Sequence, residues 1–353
     1  MTKLGILTFP PSLREMVQLA RDADDAGFDS VWTGEYFCRN AFTTLSAMAL
    51  ATRRIAIGSA IAYAFVRSPV QLAMAAADVD ELSDGRLLLG LGAGTRMQNE
   101  QWFGVPFGAP SAKVGEILPI ARGLWSHKEG AFSYQGRYYQ LSIPNFARVS
   151  QARDKIPVYL GAVGPRMLKL AGASADGFIG HPTYTRSYYR KAVLPLVEQE
   201  MRQAGRRTGE VERALTIVTI INRDSATARY EAAKRLTFYY VARPFHAILD
   251  FHGWEQEKQA ILAAWRSVDP QRAADAISAR MRDEVLVLAG NPDEVRRQWK
   301  ELDGLADHVL LLAPAPYDGL GFDAYAENYQ AILELFGRNK TGARTAQMVS
   351  NQP

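Results

Sequence analysis

A chain of 353 residues with 48% hydrophobic and 22% charged residues can bury a large core, which excludes wholesale disorder. The formal net charge is only +4, and the basic residues are scattered without interleaved aromatic side chains, which argues against a nucleic-acid partner. The single cysteine, Cys38, excludes an internal disulfide framework and a cysteine zinc cluster, and no histidine spacing matches a metal-binding motif.

The amino-terminal residues lead directly into an apolar strand, so we expect no signal peptide and a cytoplasmic location. No apolar run approaches the roughly 18 residues that are needed to span a bilayer. We therefore expect neither a membrane nor a nucleic acid as partner, and no bound metal.

The first third of the chain predicts an alternation of strands and helices. Apolar runs predict strands at residues 4–8, 29–33, 55–60 and 87–91. Capping residues and helical periodicity predict helices at residues 12–26, 41–51, 69–82 and 110–125. Ser68 as the cap and Pro69 at the first helical position open the third helix, and Gly85 ends it. A strand, a crossover helix and a second strand make a βαβ unit, and such units form parallel sheets.

The rest of the chain continues this alternation with two excursions. Alternating side chains around Gln135-Gly136 predict a β-hairpin at residues 130–142, and residues 224–286 predict a helical insertion rich in aromatic side chains. Further strands are predicted at residues 156–160, 175–179, 215–221 and 308–312, with a short extended piece at 285–289. Further helices are predicted at residues 165–171, 187–204, 291–303 and 321–336, and residues 341–353 read as a flexible tail.

Eight predicted strands alternating with helices indicate an α/β fold, a (β/α)8 TIM barrel with a helical insertion, formed by residues 1–340 as one domain. A doubly wound sheet is the rival fold. Its nucleotide fingerprint normally follows the first strand, where this chain has Phe9-Pro10-Pro11 instead.

Glycine-rich segments follow the fourth and fifth predicted strands. The first ends in Gly92-Ala93-Gly94-Thr95, and the second runs from Gly161 to Gly164, where Pro165 opens a helix with unpaired N–H groups. Because ligands of parallel α/β folds lie at the carboxyl ends of the strands, these segments predict a site for an anionic or planar ligand. The alternative is that they are only tight exits from the strands.

Four short motifs stand at the predicted rim and helix ends: R-x-P at 67–69, D-E-L-S-x-G-R at 80–86, L-G-L-G-x-G at 89–94 and E-Y-F-x-R-N at 35–40. Together they resemble the luciferase-like monooxygenase superfamily. Within that superfamily the chain resembles the branch that depends on the deazaflavin coenzyme F420 and includes methylenetetrahydromethanopterin reductase. The resemblance covers residues 1 to about 180 well and the last strand and helix more weakly.

The resemblance implies a barrel that binds F420, or alternatively FMN, at its carboxyl rim. It implies a bulge after the third strand, Ser59-Ala60-Ile61, with a non-prolyl cis peptide at Ala60–Ile61 behind the cofactor ring. The implied phosphate-binding positions are Ala93, Gly94 and Thr95 after the fourth strand, and Gly161, Ala162, Val163 and Gly164 after the fifth. Asn99 and His181 are further candidates on the cofactor side.

The chain departs from the family where many relatives carry an Asp-His pair, because Gly34-Glu35 stands there. Glu35 is the nearest replacement as acid, base or hydrogen-bond partner of the substrate; the alternative is that it pairs with Arg39 or Arg67. Tyr36 and Tyr63 are predicted to line the substrate side, so Glu35, Tyr36 and Tyr63 are the catalytic candidates.

These features predict an oxidoreductase that transfers a hydride between reduced F420 and a small organic substrate. An FMN-dependent monooxygenase that uses oxygen is the first alternative. A non-catalytic flavin-binding barrel and a nicotinamide dehydrogenase are further alternatives. Relatives commonly dimerise through the second and third helices, so we also expect a homodimer.

Overall fold

The computed structural model describes residues 2–267, 269–314 and 324–339. The strands in these ranges are β1 (Lys3–Leu7), β2 (Ser30–Thr33), β3 (Ala56–Ser59), β4 (Ala62–Tyr63), β5 (Leu87–Gly92), β6 (Glu129–Gln135), β7 (Gln140–Ala147), β8 (Val158–Ala162), β9 (Gly177–Gly180), β10 (Glu212–Ile221), β11 (Val287–Gly290) and β12 (His308–Leu312).

The α-helices are α1 (Leu13–Asp25), α2 (Ala41–Ala51), α3 (Pro69–Leu82), α4 (Pro110–Ser126), α5 (Pro165–Ser174), α6 (Arg186–Tyr188), α7 (Leu194–Gln203), α8 (Ser225–Tyr240), α9 (His246–Phe251), α10 (Glu255–Arg266), α11 (Pro270–Asp275), α12 (Ala279–Glu284), α13 (Pro292–Lys300) and α14 (Tyr325–Phe336). Two π-helical segments lie at Gln98–Trp102 and Tyr189–Val193, and a 3₁₀ turn lies at Arg243–Phe245.

Within the described residues, eight parallel strands close into a barrel in the order β1-β2-β3-β5-β8-β9-β10-β12, with β12 returning to β1. The predicted TIM barrel is therefore confirmed, and the doubly wound sheet is wrong. The strands are mostly apolar because barrel side chains and surrounding helices cover both faces, and charged residues such as Lys3 and Glu212 stand at their amino-terminal ends. The carboxyl ends of all eight strands meet at one rim.

Several helix boundaries follow from the capping residues that the sequence shows. Ser12, Asn40 and Ser68 each accept a hydrogen bond from the backbone of the helix that follows. Asn291 forms a capping box with Glu294 at the start of α13. The long helix predicted at 187–204 is instead interrupted by the π-helical segment Tyr189–Val193.

The two predicted excursions lie outside the barrel. β6 and β7 form an antiparallel hairpin of their own, longer at both ends than the predicted range 130–142. Helices α8 to α12 occupy the segment predicted as a helical insertion, and β11 then adds in parallel to the carboxyl half of β10. The last helix begins at Tyr325, and the tail predicted at 341–353 lies outside the described residues.

Among the described helices, none combines the length and the apolar character that crossing a membrane requires.

Candidate active site at the carboxyl rim

The rim is organised by a β-bulge between β3 and β4. Gly58 pairs with Leu88, and Ala62 pairs with Leu91, so one residue more lies between the pairs on the bulged side. The Ala60–Ile61 peptide bond inside the bulge is cis, as the resemblance implies.

Ser59 fastens the base of the bulge to the neighbouring strand. Its hydroxyl donates to the Gly90 carbonyl at 2.8 Å and accepts from the Gly90 N–H at 2.9 Å, and its side chain is fully buried. Ser59 therefore anchors the bulge to β5. Its hydroxyl hydrogen-bonds to the Gly90 backbone and does not point toward a ligand.

The side chain of Ile61 explains two glycines of the predicted ligand loops. A Cβ at Gly92 would lie 2.0 Å from Ile61 Cδ1, and a Cβ at Gly161 would lie 2.8 Å from Ile61 Cγ2. Any side chain at either position would force the Ile61 side chain to move. Gly92 and Gly161 thus make room for the Ile61 side chain, a role that a strand exit alone would not require.

The loop after β5 is held by its own side chains. The Thr95 N–H donates to Gln98 Oε1 at 2.7 Å, so this amide is already engaged. The Asn99 amide nitrogen donates to the carbonyls of Ala93 at 2.7 Å and Thr95 at 2.8 Å. Its Oδ1 is buried and has no partner among the described residues, which leaves one acceptor free for a bound group. Gly94 adopts a φ of 65°, which favours glycine at this turn.

The loop after β8 presents an open helix amino terminus. The Ala162 carbonyl accepts the Tyr184 hydroxyl at 2.6 Å, and Val163 is half-buried beside it. Gly164 caps α5 without a side-chain hydrogen bond, and a Cβ there would meet no heavy atom within 4 Å. Pro165 has no N–H group and the Met167 N–H donates to the Gly164 carbonyl at 3.1 Å, which leaves the Arg166 N–H of this first turn for an anion.

Glu35 is buried and fully engaged. Both carboxylate oxygens accept from the Arg67 guanidinium, and Oε2 also accepts the Tyr63 N–H at 3.0 Å. The Glu35 N–H donates to the Ile61 carbonyl at 3.0 Å. Glu35 thus binds the bulge through its main chain and its side chain, and of the two sequence interpretations the structure contains the Arg67 ion pair.

The two candidate tyrosines lie in different environments. Tyr63 is buried against Gly94 and edge-on to Phe103 at 5.5 Å, and its burial raises the pKa of its hydroxyl well above the usual value. Tyr36 is half-buried, packs edge-on to Phe9 at 5.4 Å and lines a narrow cleft at the barrel mouth. Tyr36 therefore lies at the mouth of the barrel, whereas Tyr63 supports the glycine loop.

His181, directly after β9, is half-buried between aromatic side chains. Its ring stacks on Phe245 at 4.1 Å and meets Tyr239 edge-on at 4.8 Å. Burial lowers the pKa of the imidazole to about 3, so the ring is neutral near pH 7. Nδ1 accepts the Thr183 N–H at 3.3 Å, which places the ring proton on Nε2.

The cleft also contains residues that the sequence did not single out. Its described lining comprises Phe9, Tyr36, Val218, Arg235, Phe238, Tyr239, Leu312 and Pro314. The aromatic crowding at 224–286 was a signal for Phe238 and Tyr239, but it did not separate them from core residues such as Tyr240. Phe9 was visible only as the residue that follows the first strand.

The fold and the rim together define a class: a (β/α)8 barrel with a bulged third strand and a ligand site at the carboxyl ends of its strands. Residues 2–308 match the model of the luciferase-like monooxygenase family, and the chain belongs to that family.

Among curated proteins, an uncharacterised protein of Mycobacterium tuberculosis is 29% identical over 315 residues, covering 83% of this chain and 90% of its own. The 5,10-methylenetetrahydromethanopterin reductase of Archaeoglobus fulgidus is 28% identical over 308 residues, covering 85% of this chain and 90% of its own.

Two solved structures share the fold. The coenzyme F420 dependent tetrahydromethanopterin reductase of Methanopyrus kandleri superposes with a TM-score of 0.80 at 23% identity, covering 96% of this chain and 98% of its own. The FMN-bound oxygenating component of 3,6-diketocamphane monooxygenase from Pseudomonas putida superposes with a TM-score of 0.63 at 19% identity, covering 96% and 97%.

Proposed function

We propose that this protein is an oxidoreductase that transfers a hydride between reduced coenzyme F420 and a small organic substrate. One observation carries the proposal: the bulge at Ala60–Ile61 faces the barrel mouth between two glycine exits, one of which leads into the open amino terminus of α5. A planar ring with an anionic arm fits this arrangement. The similarity to a putative coenzyme F420-dependent oxidoreductase of Mycobacterium tuberculosis, 28% identical over 300 residues, supports F420 as the cofactor.

The residues present fit such a cofactor. The backbone of Ala60 and Ile61 would support the ring, and the Arg166 N–H in the first turn of α5 would donate to the phosphate. The unpartnered Oδ1 of Asn99 would accept a hydrogen bond from a hydroxyl of the cofactor arm. When bound, the reduced deazaflavin would supply the hydride.

The remaining residues would position the substrate and exclude water from it. Tyr36 and Phe9 would contact the substrate from the side of β1 and β2. Glu35, together with Arg67, would fix the position of the bulge at the barrel rim. Glu35 is accordingly a positioning residue in this proposal, and Tyr36 is a residue that contacts substrate.

The proposal is tested by titrating the purified protein with F420 and with FMN and following the fluorescence of each cofactor. We expect saturable F420 binding and much weaker FMN binding. Tight FMN binding with consumption of oxygen would instead establish the monooxygenase alternative, which the FMN-bound structural neighbour supports. Binding of NADH without either cofactor would overturn both.

A substitution at Gly164 tests the phosphate site separately. The backbone of Gly164 has a φ of −83°, and its Cβ position is open, so any residue fits there. Gly164→Asp would cap α5 with its own carboxylate and should weaken cofactor binding about tenfold or more, while protein stability is kept or raised. Gly164→Ala, which adds a Cβ without charge, is the matched control and should bind the cofactor nearly as well as the parent. Equal affinity in all three proteins would place the phosphate elsewhere.

A further inference from the structure

A charged pocket lies at the amino-terminal end of the barrel, opposite the rim that carries the proposed active site. We propose that this pocket binds a phosphate group, either as inorganic phosphate or as the phosphoryl end of a small polar metabolite. The proposal is independent of the proposed function, because no residue of the pocket takes part in that function. The pocket has a volume of about 430 Å³, and its lining comprises Arg122, Lys155, Ala173, Ser174, Asp176, Arg206 and Glu210.

The lining comes from segments that lie next to one another at this end of the barrel. Lys155, Asp176 and Glu210 stand in the segments that lead into β8, β9 and β10. Arg122 and Ser174 lie near the carboxyl ends of α4 and α5. The pocket is therefore built between strand entries and helix ends, on the face that is remote from the bulge.

On one side of the pocket, two cations share one carboxylate. Asp176 accepts from Arg122 Nη2 at 3.0 Å and lies 3.0 Å from Lys155 Nζ. It also accepts the Val158 N–H at 3.0 Å. Burial alone would raise the pKa of Asp176, but the bonds from Val158 and Lys155 outweigh burial and lower it, so the carboxylate is ionised near pH 7. This side therefore carries a surplus of one positive charge.

The other side repeats this arrangement. Glu210 Oε1 accepts from Arg207 Nε at 2.7 Å, and Glu210 Oε2 lies 3.8 Å from Arg206 Nε. Two cations again share one carboxylate, which leaves a second surplus positive charge. A phosphate monoester carries a charge of about −1.5 to −2 at pH 7, so a single phosphate group matches the surplus of both sides.

The hydrogen-bonding capacity that remains in the pocket consists mainly of donors. Both oxygens of Asp176 are engaged, whereas Lys155 has three N–H groups and lies 3.0 Å from one carboxylate oxygen. Arg122 donates to Asp176 through Nη2, and the half-buried Ser174 hydroxyl has no hydrogen-bond partner in the described part of the chain. Ammonium and guanidinium groups form strong charge-assisted hydrogen bonds with phosphate oxygens.

The carboxyl end of α5 borders the pocket and would by itself repel an anion. Arg206 Nη1 donates to the Gly172 carbonyl in the last turn of α5 at 2.9 Å. This bond places a guanidinium over the negative end of the helix, so the same arginine covers the helix end and faces the pocket.

The size and the polarity of the pocket limit the rest of the ligand. A volume of about 430 Å³ corresponds to roughly fourteen water volumes, which leaves room for a short chain beside a phosphate group. Ala173 alone contributes an apolar side chain to the described lining. A large apolar group would therefore gain little contact, and a small polar ligand fits best.

Phosphorus NMR titration tests the inference with two probes, inorganic phosphate and glycerol 3-phosphate, at an ionic strength held constant with sodium chloride. We expect saturable broadening of the probe signals both without F420 and with saturating F420, because the pocket and the cofactor rim lie at opposite ends of the barrel. Tighter binding of glycerol 3-phosphate would identify a phosphate monoester as the occupant. Equal or tighter binding of inorganic phosphate would identify inorganic phosphate.

Two substitutions locate the binding. Arg122→Gln should weaken binding of the tighter probe about tenfold, and Lys155→Gln about threefold, because each removes a charged donor. Lys155 is 72% exposed, so its variant keeps the test valid if Arg122→Gln unfolds. Lys169→Gln is the matched control, because Lys169 lies on α5, is 50% exposed, pairs with Glu200 at 2.9 Å and does not line the pocket.

The inference is overturned if neither probe binds or if saturating F420 abolishes probe binding. Equal losses in the Lys155 and Lys169 variants would overturn it as well, because they would show a general response to surface charge. A protein that binds the probes in this way and binds no F420 would refute the proposed function alone.

Discussion

At the scale of single residues, the pairing of Glu35 with Arg67 decides what Glu35 does. The carboxylate accepts from the guanidinium and from the Tyr63 N–H, and its side chain is 3% exposed. Both carboxylate oxygens of Glu35 thus accept hydrogen bonds from other groups of the protein, and neither is left to exchange a proton with a substrate. Removing one partner of a buried ion pair lowers the free energy of unfolding strongly, so a substitution at Glu35 should have a measurable effect on stability.

We expect Glu35→Gln to lower the free energy of unfolding by about 3 kcal/mol and to weaken cofactor binding, because Arg67 loses its counter-charge and the bulge loses an anchor. Chemical denaturation and cofactor fluorescence measure the two effects. The double variant Glu35→Gln/Arg67→Met should recover part of the stability, since no buried charge then remains unpaired. If Glu35→Gln instead keeps full stability and cofactor affinity but abolishes turnover, Glu35 is the catalytic acid.

Other charged residues of the recognisable motifs also have structural roles. In D-E-L-S-x-G-R, Asp80 binds Arg153 through both oxygens, and Arg86 donates to the carbonyls of Ala49, Thr52 and Ile55 at the end of α2. The motif therefore identifies the family through the packing of βα units, and it carries no information about the substrate.

At the scale of secondary-structure elements, the β6–β7 hairpin is attached to α4 by one carboxylate. Glu116 accepts the N–H groups of Arg137, Tyr138 and Tyr139 at 2.9, 2.9 and 3.0 Å. These three residues lie in the turn between β6 and β7. A two-stranded sheet is marginally stable by itself, so its position depends on such anchors.

Glu116→Ala should release the hairpin turn while the barrel stays folded. Because Arg137 lies in the turn, the expected result is cleavage after Arg137 by trypsin at least several-fold faster than in the parent, with little change in the thermal unfolding midpoint. Glu129→Ala, at an exposed position of the same hairpin, is the control and should leave cleavage unchanged. A drop in the unfolding midpoint equal to that of a core mutation would show that the hairpin is part of the barrel's cooperative unit.

The elements differ in how far sequence predicts them. α2 and α3 have the predicted bounds: Asn40 and Ser68 cap their first turns, and α3 is marked further by Pro69 at its start and by Gly85 after its end. The two π-helical segments were not predicted, since a single segment of five residues is too short to show a period of its own in the sequence. The bulge was predicted only through the family resemblance, because its position depends on the register of β3 against β5.

At the scale of the whole molecule, the eightfold alternation of strands and helices was sufficient to predict the barrel. The cleft was not predictable, because its walls come from β1 and β2 on one side and from α8, more than two hundred residues later, on the other. Only closure of the barrel brings Phe9 and Tyr239 to the same rim. The predicted glycine-rich segments lie at the rim, and two of their glycines, Gly92 and Gly161, make room for the Ile61 side chain.

Closure of the barrel is reinforced at the opposite, amino-terminal end by a network around Glu212 on β10. Its carboxylate accepts from Lys3 Nζ at 2.7 Å on β1 and lies 3.0 Å from Nδ1 of the buried His308 on β12. His308 Nε2 in turn lies 2.7 Å from the Ser30 hydroxyl on β2. The network therefore joins β1 and β2 to β10 and β12, the last two strands of the barrel.

This network predicts how the stability of the barrel depends on acid. Burial alone would raise the pKa of Glu212, but the bonds from His308 and Lys3 outweigh burial and lower it to about 2, against an ordinary value of 4.5. The ionised carboxylate therefore stabilises the fold above pH 4.5, and this contribution, roughly 3 kcal/mol, is lost as the pH falls toward 2. Glu212→Gln should thus be less stable than the parent at pH 7, and the difference in unfolding free energy should shrink steadily between pH 5 and pH 2.5. Urea denaturation across that range measures it, with Glu327→Gln at an exposed position as the control, and a pH-independent difference would show that shape rather than charge at Glu212 closes the barrel.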